Sequence, residues 1–449
     1  MYNERRERQI GVVVVIPVFG HANVLRLTLE ALARQRAIRP DRVLLIDQEH
    51  SIDFDSVAKE FLGRIRVDYW DDSPFVCVGR KRNLGVAMSS EDIILFLDSD
   101  VIVGPDCISA HVRSHQRGIS TVLGYMYGAR TFHRGQIAGL QSTEYDQFMA
   151  EFAHMKESML DERDVWFRPN EDNVMAMDAP WHVFWGGHVS VERSAIMRAG
   201  LFNDTFVGWG YEDLELGYRL IQTGASIEMN RGAWSVHFPQ RVSLERRAIQ
   251  AEENLRRFVR LHPTLECELY AVFFDAWKQP FGYFQNFEST ALHPRSRSMM
   301  IARGTFIGTD ILLIGYDPIL AQLPAVACVI EPRTMRFREA KESMLTTENV
   351  YQLSGLFLPF DHGSFGKAVV TPIWTEYAPQ ERVRLMNEVL RVSSTAVFVA
   401  EFAGNLHLLK LREEADRRGL VTDLCREGPL GYLVIDKRPI RTHAYPDKS

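Results

Sequence analysis

Five consecutive apolar residues, Ile93-Ile94-Leu95-Phe96-Leu97, run directly into Asp98-Ser99-Asp100. The run is bounded by Glu91-Asp92 and Gly104-Pro105, has the length of a strand and lacks a polar face. It therefore reads as a strand buried on both sides. The pattern recurs upstream. Val12-Val13-Val14-Val15-Ile16 stops at Pro17, Arg42-Val43-Leu44-Leu45-Ile46 ends on Asp47, and Ile65 to Tyr69 is a further candidate. Helical spacing of Leu25, Leu29 and Leu32, and a helix around Val57 to Leu62, separate these runs. Strands alternating with helices predict an α/β fold with a parallel sheet and right-handed crossovers. Chemistry in such a sheet sits at its carboxyl edge. Residues two apart in extended chain point the same way, so Asp98 and Asp100 can converge on one cation while Ser99 turns aside. Hard oxygen ligands favour magnesium or manganese, ions that bridge to phosphate oxygens. The competing reading is a pair of turn or cap aspartates.

At 449 residues the chain exceeds the usual single core, which predicts two domains joined by a connector. A net charge of −6 argues against a nucleic-acid surface. No apolar run reaches membrane length, and the charged Asn3 to Arg8 followed by the short Val12 to Ile16 run is not a signal peptide, so a cytoplasmic protein is expected. Cys77, Cys107, Cys267, Cys328 and Cys425 are scattered and odd in number, as reduced thiols would be.

Three further stretches bear on chemistry. Gly79-Arg80-Lys81-Arg82-Asn83-Leu84-Gly85 opens a helix with three cations, where the helix dipole prefers anions. A phosphate-bearing ligand would resolve that conflict. Trp185-Gly186-Gly187-His188 follows a long segment, about 125 to 180, that reads as an insertion, and Trp166, Trp181 and Trp185 are candidates for stacking on sugars or an acceptor, or for core. Then comes Gly208-Trp209-Gly210-Tyr211-Glu212-Asp213-Leu214-Glu215-Leu216-Gly217-Tyr218-Arg219-Leu220, with its acids in the first turn of a helix. Val236-His237-Phe238-Pro239 ends this half of the chain with a lone histidine, structural or ligating.

The order of Val14 to Phe19, Leu45 to Asp47, Arg82 to Gly85 and Leu95 to Asp100 resembles family 2 glycosyltransferases of the GT-A fold. The Gly208 to Leu220 stretch resembles the galactosyltransferase-type ending of bacterial chondroitin polymerase and polypeptide GalNAc-transferases. The resemblance implies that Pro17, Phe19 and Asp47 hold the nucleotide base, with Arg82, Ser99, Gly187, Trp209 and Gly210 around the nucleotide sugar. It implies Asp98, Asp100 and His237 as ligands for manganese or magnesium, Asp213 as catalytic base and Glu212 beside it. Gln48 stands where the family often has a second acid, which loosens the expectation of uracil. A UDP-sugar donor and a glycan, peptide or natural-product acceptor follow from the likeness. The rivals are a bifunctional glycosyltransferase and methyltransferase, and a non-catalytic carbohydrate-binding scaffold.

Expected boundaries are a GT-A domain over 1–240, a helical and irregular connector over 241–300, and a Rossmann-like α/β domain over 301–449. In the last, Ile311 to Pro318, Ala325 to Ile330, Ala368 to Ile373, Ala396 to Ala400 and Tyr432 to Ile435 read as strands, with helices near Gln380 to Arg391 and Leu406 to Arg418. The order resembles class I methyltransferases, with Glu331 at the ribose position. Only Gly315 precedes Tyr316-Asp317-Pro318 where a cofactor turn wants several glycines. A degenerate domain that binds the acceptor, or another copy of the chain, is the expectation.

Overall fold

The computed structural model describes residues 10–19, 22–48, 50–72, 77–128, 140, 142–238, 244–273, 298, 300, 305–308, 310–343, 349–401, 405–427 and 429–437, the side chains of 244–247, 405 and 427 excepted. The chain divides into two compact units, Met1–Asn254 and Leu255–Ser449. The division falls within the helix Leu244–Leu261.

The strands of the first unit are β1 (Val12–Pro17), β2 (Arg42–Gln48), β3 (Val67–Asp72), β4 (Ile93–Leu97), β5 (Val101–Val103), β6 (Thr121–Tyr127), β7 (His188–Glu192) and β8 (Ile227–His237), and its helices up to the last of these are α1 (Ala22–Ala33), α2 (Phe54–Phe61), α3 (Val78–Ala87), α4 (Cys107–Gln116), α5 (Tyr145–Met155), α6 (Asp164–Phe167), α7 (Arg193–Ala199) and α8 (Glu212–Gln222). They form one sheet in the order β3-β2-β1-β4-β7-β6-β8-β5. The first four strands are parallel; β7 runs antiparallel to β4 and β6. β5 closes the sheet antiparallel to β8.

The central strands are apolar throughout because helices cover both faces. Val12, Val14 and Ile16 of β1 pack with Leu25, Leu29 and Leu32 of α1 (Ala22–Ala33). Val13 and Val15 face the opposite layer, with Val86 of α3 (Val78–Ala87) and Leu216 and Leu220 of α8 (Glu212–Gln222). Strand order reverses at β1, whose neighbours are β2 on one side and β4 on the other, so the crevice beyond their carboxyl ends is a topological switch point. Pro17 and Asp98 lie at that edge.

The segment read as an insertion contributes β6 and the helix Tyr145–Met155, followed by short helical turns. Trp181 is 1% exposed, which settles it as core. No helix among the described residues is long and apolar enough to cross a membrane.

The second unit holds β9 (Ile311–Ile314), β10 (Val326–Ile330), β11 (Val350–Tyr351), β12 (Phe365–Val370), β13 (Ser393–Glu401), β14 (Val421–Glu427) and β15 (Leu430–Asp436). Their order is β11-β10-β9-β12-β13-β15-β14, parallel except that β15 pairs antiparallel with both neighbours. With the helices Pro379–Val392 and Asn405–Arg417 the unit is Rossmann-like, as the sequence predicts.

Candidate active site

The edge beyond β4 is organised by one buried guanidinium. Arg82, in the second turn of α3, is 3% exposed. Its Nη2 donates to Asp98 Oδ1 at 3.0 Å and its Nη1 to Glu212 Oε1 at 3.0 Å. The Phe202 ring lies 5.3 Å from the charge. Arg82 thus ties the acid at the end of β4 to the first residue of α8, elements more than a hundred residues apart in sequence.

Glycines make that approach possible. Leu97 pairs with His188 across β4 and β7, and Asp98 N–H donates to Gly187 O at 3.0 Å. A Cβ on Gly186 would stand 2.6 Å from Arg82 Nη1, and one on Gly187 would stand 2.8 Å from Asp98 Oδ2. Gly186 N–H also donates to Asp213 Oδ2 at 3.0 Å, and Leu214 N–H to Asp213 Oδ1 at 2.8 Å. The Trp-Gly-Gly segment therefore touches Arg82, Asp98 and Asp213 at once.

Charge is crowded here. Burial and the neighbouring Asp213 push the Glu212 carboxyl up to about 7 against the pull of Arg82. Burial likewise raises Asp213, opposed by the Gly186 N–H and Arg82. A raised carboxyl is a better proton acceptor near neutral pH than an ordinary one.

Asp100 lies two residues on and is paired differently. β5 and β8 register Val101 against His237, which brings His237 Nε2 to 3.5 Å from Asp100 Oδ2, and Phe238 N–H donates to Asp100 O at 2.8 Å. Ser99 is held through its carbonyl, which accepts from Thr28 Oγ1 at 2.9 Å. Asp98, Asp100 and His237 thus share one edge, but their ligand atoms are not among those drawn within 4.8 Å of one another in groups of three. Arg82 holds Asp98 aside. Two carboxylates and an imidazole suit manganese or magnesium in donor type, and Asp98, 37% exposed in its side chain, has room to turn toward Asp100.

The cationic helix start is resolved within the chain, where the sequence suggested a phosphate. Arg80 Nε meets Asp72 at 3.1 Å, Lys81 Nζ donates to Asp47 O at 2.6 Å, and Arg82 takes the two acids above. Local propensity gave way to long-range ion pairs that sequence spacing does not show.

On the nucleotide side, Pro17 ends β1, and Phe19 is 45% exposed with Lys81 Nζ 5.0 Å from its ring centre. Asp47 is buried, and its carboxylate accepts from Gln48 N–H, Ser51 Oγ, Ile52 N–H and Tyr69 OH. Those four donors close the loop after β2, so a base would have to compete for this carboxylate. Opposite, Gly208, Gly210 and Tyr211 all have left-handed backbone, with φ of 80°, 99° and 72°. The non-glycine Tyr211 in that conformation is a strained position of the kind found at working sites. Trp209 between them is 41% exposed, and its loop is held by Gln250 Oε1 and Asn254 Nδ2.

Sequence reasoning passed over a second cluster. Cys107, His111 and His188 bring their ligand atoms within 4.8 Å of one another. The signal was the Cys107, His111, His115 spacing, four residues apart on one helix face.

Residues 13–161 match the family model described as glycosyl transferase family 2, and residues 172–240 match that of the N-terminal domain of galactosyltransferase. Validoxylamine A glucosyltransferase of Streptomyces hygroscopicus subsp. jinggangensis is 31% identical over 265 residues, 57% of this chain and 62% of that protein. Escherichia coli chondroitin synthase is 25% identical over 240 residues, 51% of this chain and 34% of that protein. The chain thus spans less than two thirds of the length of either relative. S. aureus TarS 1–349 in complex with UDP-GlcNAc, a solved structure, covers 56% of this chain and 65% of its own at 11% identity and a TM-score of 0.41, too loose a likeness to bear on function. Within its first unit, the chain is thus similar to glycosyl transferase family 2 over residues 13–161 and to the galactosyltransferase domain over residues 172–240.

Proposed function

We propose that the first unit is a metal-dependent inverting glycosyltransferase that moves a sugar from a nucleotide diphosphate, UDP in the first instance, to an acceptor hydroxyl. The observation that carries this reading is the single buried Arg82 spanning Asp98 and Glu212. It fixes the acid of the diphosphate side against the helix start that bears the base.

In the proposed reaction, Asp213 takes the proton of the acceptor hydroxyl as that oxygen attacks the anomeric carbon and the bond to the diphosphate breaks. Gly186 N–H and Leu214 N–H orient its carboxylate, leaving their partner oxygens' remaining lone pairs for the acceptor. Glu212, raised to about 7, shares the Arg82 charge and keeps a second full negative charge away from the base. Asp98, Asp100 and His237 would hold manganese or magnesium, which when bound offsets the charge on the departing diphosphate. Exposed Phe19 and the buried Pro17 that ends β1 form the wall for the base, Asp47 shapes the loop beside it, and Trp209 faces the acceptor. Ser99 and Gly187 supply the close backbone around the diphosphate, and Gly210 lets the loop bend.

The second unit, in this reading, does not use S-adenosylmethionine. Glu331, at the ribose-side end of β10, is buried and already accepts three bonds from Arg333, two from its guanidinium at 2.7 and 2.8 Å and one from its backbone N–H at 2.9 Å, and one from Tyr316 N–H at 2.8 Å. It serves instead to hold the acceptor or a second copy of the chain.

The test is a screen of UDP- and GDP-sugars with the purified chain in manganese, UDP-glucose first because a relative is named for glucosyl transfer. Donor hydrolysis and acceptor mass gain are followed over hydroxylated natural products, glycans and peptides. Turnover that chelator abolishes and manganese or magnesium restores is expected. Failure to bind or consume any nucleotide sugar overturns the reading.

A further inference from the structure

On the α1 side of the sheet, directly behind the Gly187 and Asp98 backbone, three buried side chains aim ligand atoms at one point. Helix α4 (Cys107–Gln116) supplies Cys107 and His111 one turn apart, and β7 supplies His188. Each is no more than 1% exposed. His188 Nε2 lies 3.0 Å from His111 Nε2 and 3.3 Å from Cys107 Sγ. Gly124 makes room, since a Cβ there would stand 2.2 Å from the His188 ring.

The surrounding hydrogen bonds dictate where the lone pairs go. Ile119 O, 2.7 Å from His115 Nδ1, can only accept, so His115 carries its proton on Nδ1 and accepts at Nε2 from Ser190 Oγ at 2.7 Å. That uses the one hydrogen of Ser190. Ser190 Oγ, 2.8 Å from His111 Nδ1, must then accept from it. A neutral His111, as its burial requires, is left with a bare lone pair on Nε2 facing His188 and Cys107. His188 has its own outer nitrogen on Ser235 Oγ at 2.8 Å. An imidazole whose outer nitrogen is held while the inner one faces a thiol and another imidazole is the arrangement of a metal ligand.

We propose that Cys107, His111 and His188 form a metal site for a thiophilic ion such as zinc, separate in position and donor type from the carboxylate edge at Asp98 and Asp100. One thiolate and two imidazoles select zinc or cuprous copper over magnesium and manganese. Zinc bond lengths imply tetrahedral edges of about 3.3 Å between nitrogens and about 3.6 Å from nitrogen to sulfur. The two edges from His188 Nε2 need to open by only about 0.3 Å to meet them. Binding releases the Cys107 proton, and the thiolate cancels one charge of the ion in this dry setting. The ion would pin α4 to β7 at His188, next to the Gly187 carbonyl that holds Asp98 N–H.

The experiment uses the full chain, purified without a metal-affinity step, and elemental analysis that separates zinc from copper. One tightly held ion per chain is expected. Cobalt exchanged into the site should give a thiolate-to-cobalt charge-transfer band, lost in Cys107→Ser. Because that variant removes a ligand from the core, Ser235→Ala serves as the milder one. It keeps all three ligands, frees only the outer nitrogen of His188, and should weaken zinc in chelator competition by roughly 10–100-fold. A chain that neither retains nor titrates zinc or copper, or a Cys107→Ser protein that binds as the parent does, shows the cluster to be a hydrogen-bonded core and overturns the proposal. Neither outcome depends on sugar transfer.

Discussion

The proposed reaction gives the adjacent acids Asp213 and Glu212 different tasks, and the bonds around them differ accordingly. Asp213 is oriented by two backbone N–H groups, whereas Glu212 spends an oxygen on Arg82. Asp213→Asn keeps size and hydrogen-bonding capacity and deletes basicity, so transfer should fall by roughly 10²–10⁴-fold, as for a lost general base. Nucleotide affinity should stay within a few-fold of the parent in a titration with manganese. Asp100→Ala should do the reverse and weaken nucleotide and metal together. Near-normal transfer by Asp213→Asn would remove it as the base. Glu212 makes a separate forecast through pH. Its folded value, about 7, lies above the ordinary 4.5, so the stability it contributes is complete below pH 4.5 and is lost as pH rises through 7. Melting temperature should therefore decline across that window on its account. In Glu212→Gln the decline should flatten, whatever the absolute cost of leaving Arg82 with one acid, and melts that keep the parent's slope would show that Glu212 does not titrate there.

At the scale of elements, the family-like motifs were legible because their glycines and acids sit at strand ends and helix starts, places that sequence periodicity marks. What they do there was less legible. Gly85, part of the Arg-Asn-Leu-Gly motif, lets α3 lie against β1. A Cβ on it would stand 2.3 Å from Val15 Cγ1 and 2.7 Å from Cγ2. Gly85→Ala gains about 1 kcal/mol of helix propensity but forces an overpacking cost of about 1–3 kcal/mol. The urea midpoint should fall with the slope unchanged, because the folded surface is the same. An unchanged or raised midpoint would mean that α3 shifts freely over β1. Sequence reading missed the Arg82 bridge for the opposite reason. Its partners Asp98 and Glu212 lie 16 and 130 residues away, and no local pattern reports a contact of that span. Cys107, His111 and His115 did have a pattern, but five scattered cysteines had already been read as ordinary reduced thiols.

For the whole molecule, the two units are distinguished by what their sheet edges have left to offer. At the first, Asp98 is partly exposed, Phe19 and Trp209 are exposed, and left-handed backbone at Gly208, Gly210 and Tyr211 opens the loop. At the second, Glu331 is consumed by Arg333 and the Tyr316 N–H, and a Cβ on Gly315, itself at φ 87°, would collide with Thr371 Oγ1 at 2.0 Å. That edge is filled by its own side chains. A ligand that binds only the folded state stabilises it by RT ln(1 + [L]/Kd), about 2.7 kcal/mol at a hundredfold excess over Kd, and hydrogen exchange slows where the bound structure must open. UDP with manganese should therefore slow exchange in peptides covering β4, the Gly186 and Gly187 turn and the start of α8, and leave those covering β9 and β10 unchanged. S-adenosylmethionine at saturating concentration should slow neither set. Protection at β9 and β10 with S-adenosylmethionine would mean that Arg333 yields Glu331 to a ribose, and would restore the methyltransferase reading of the second unit. Absence of protection at β4 with UDP and manganese would instead count against the donor site, since Asp98 and Gly187 cannot grip a diphosphate without stiffening the backbone that joins them.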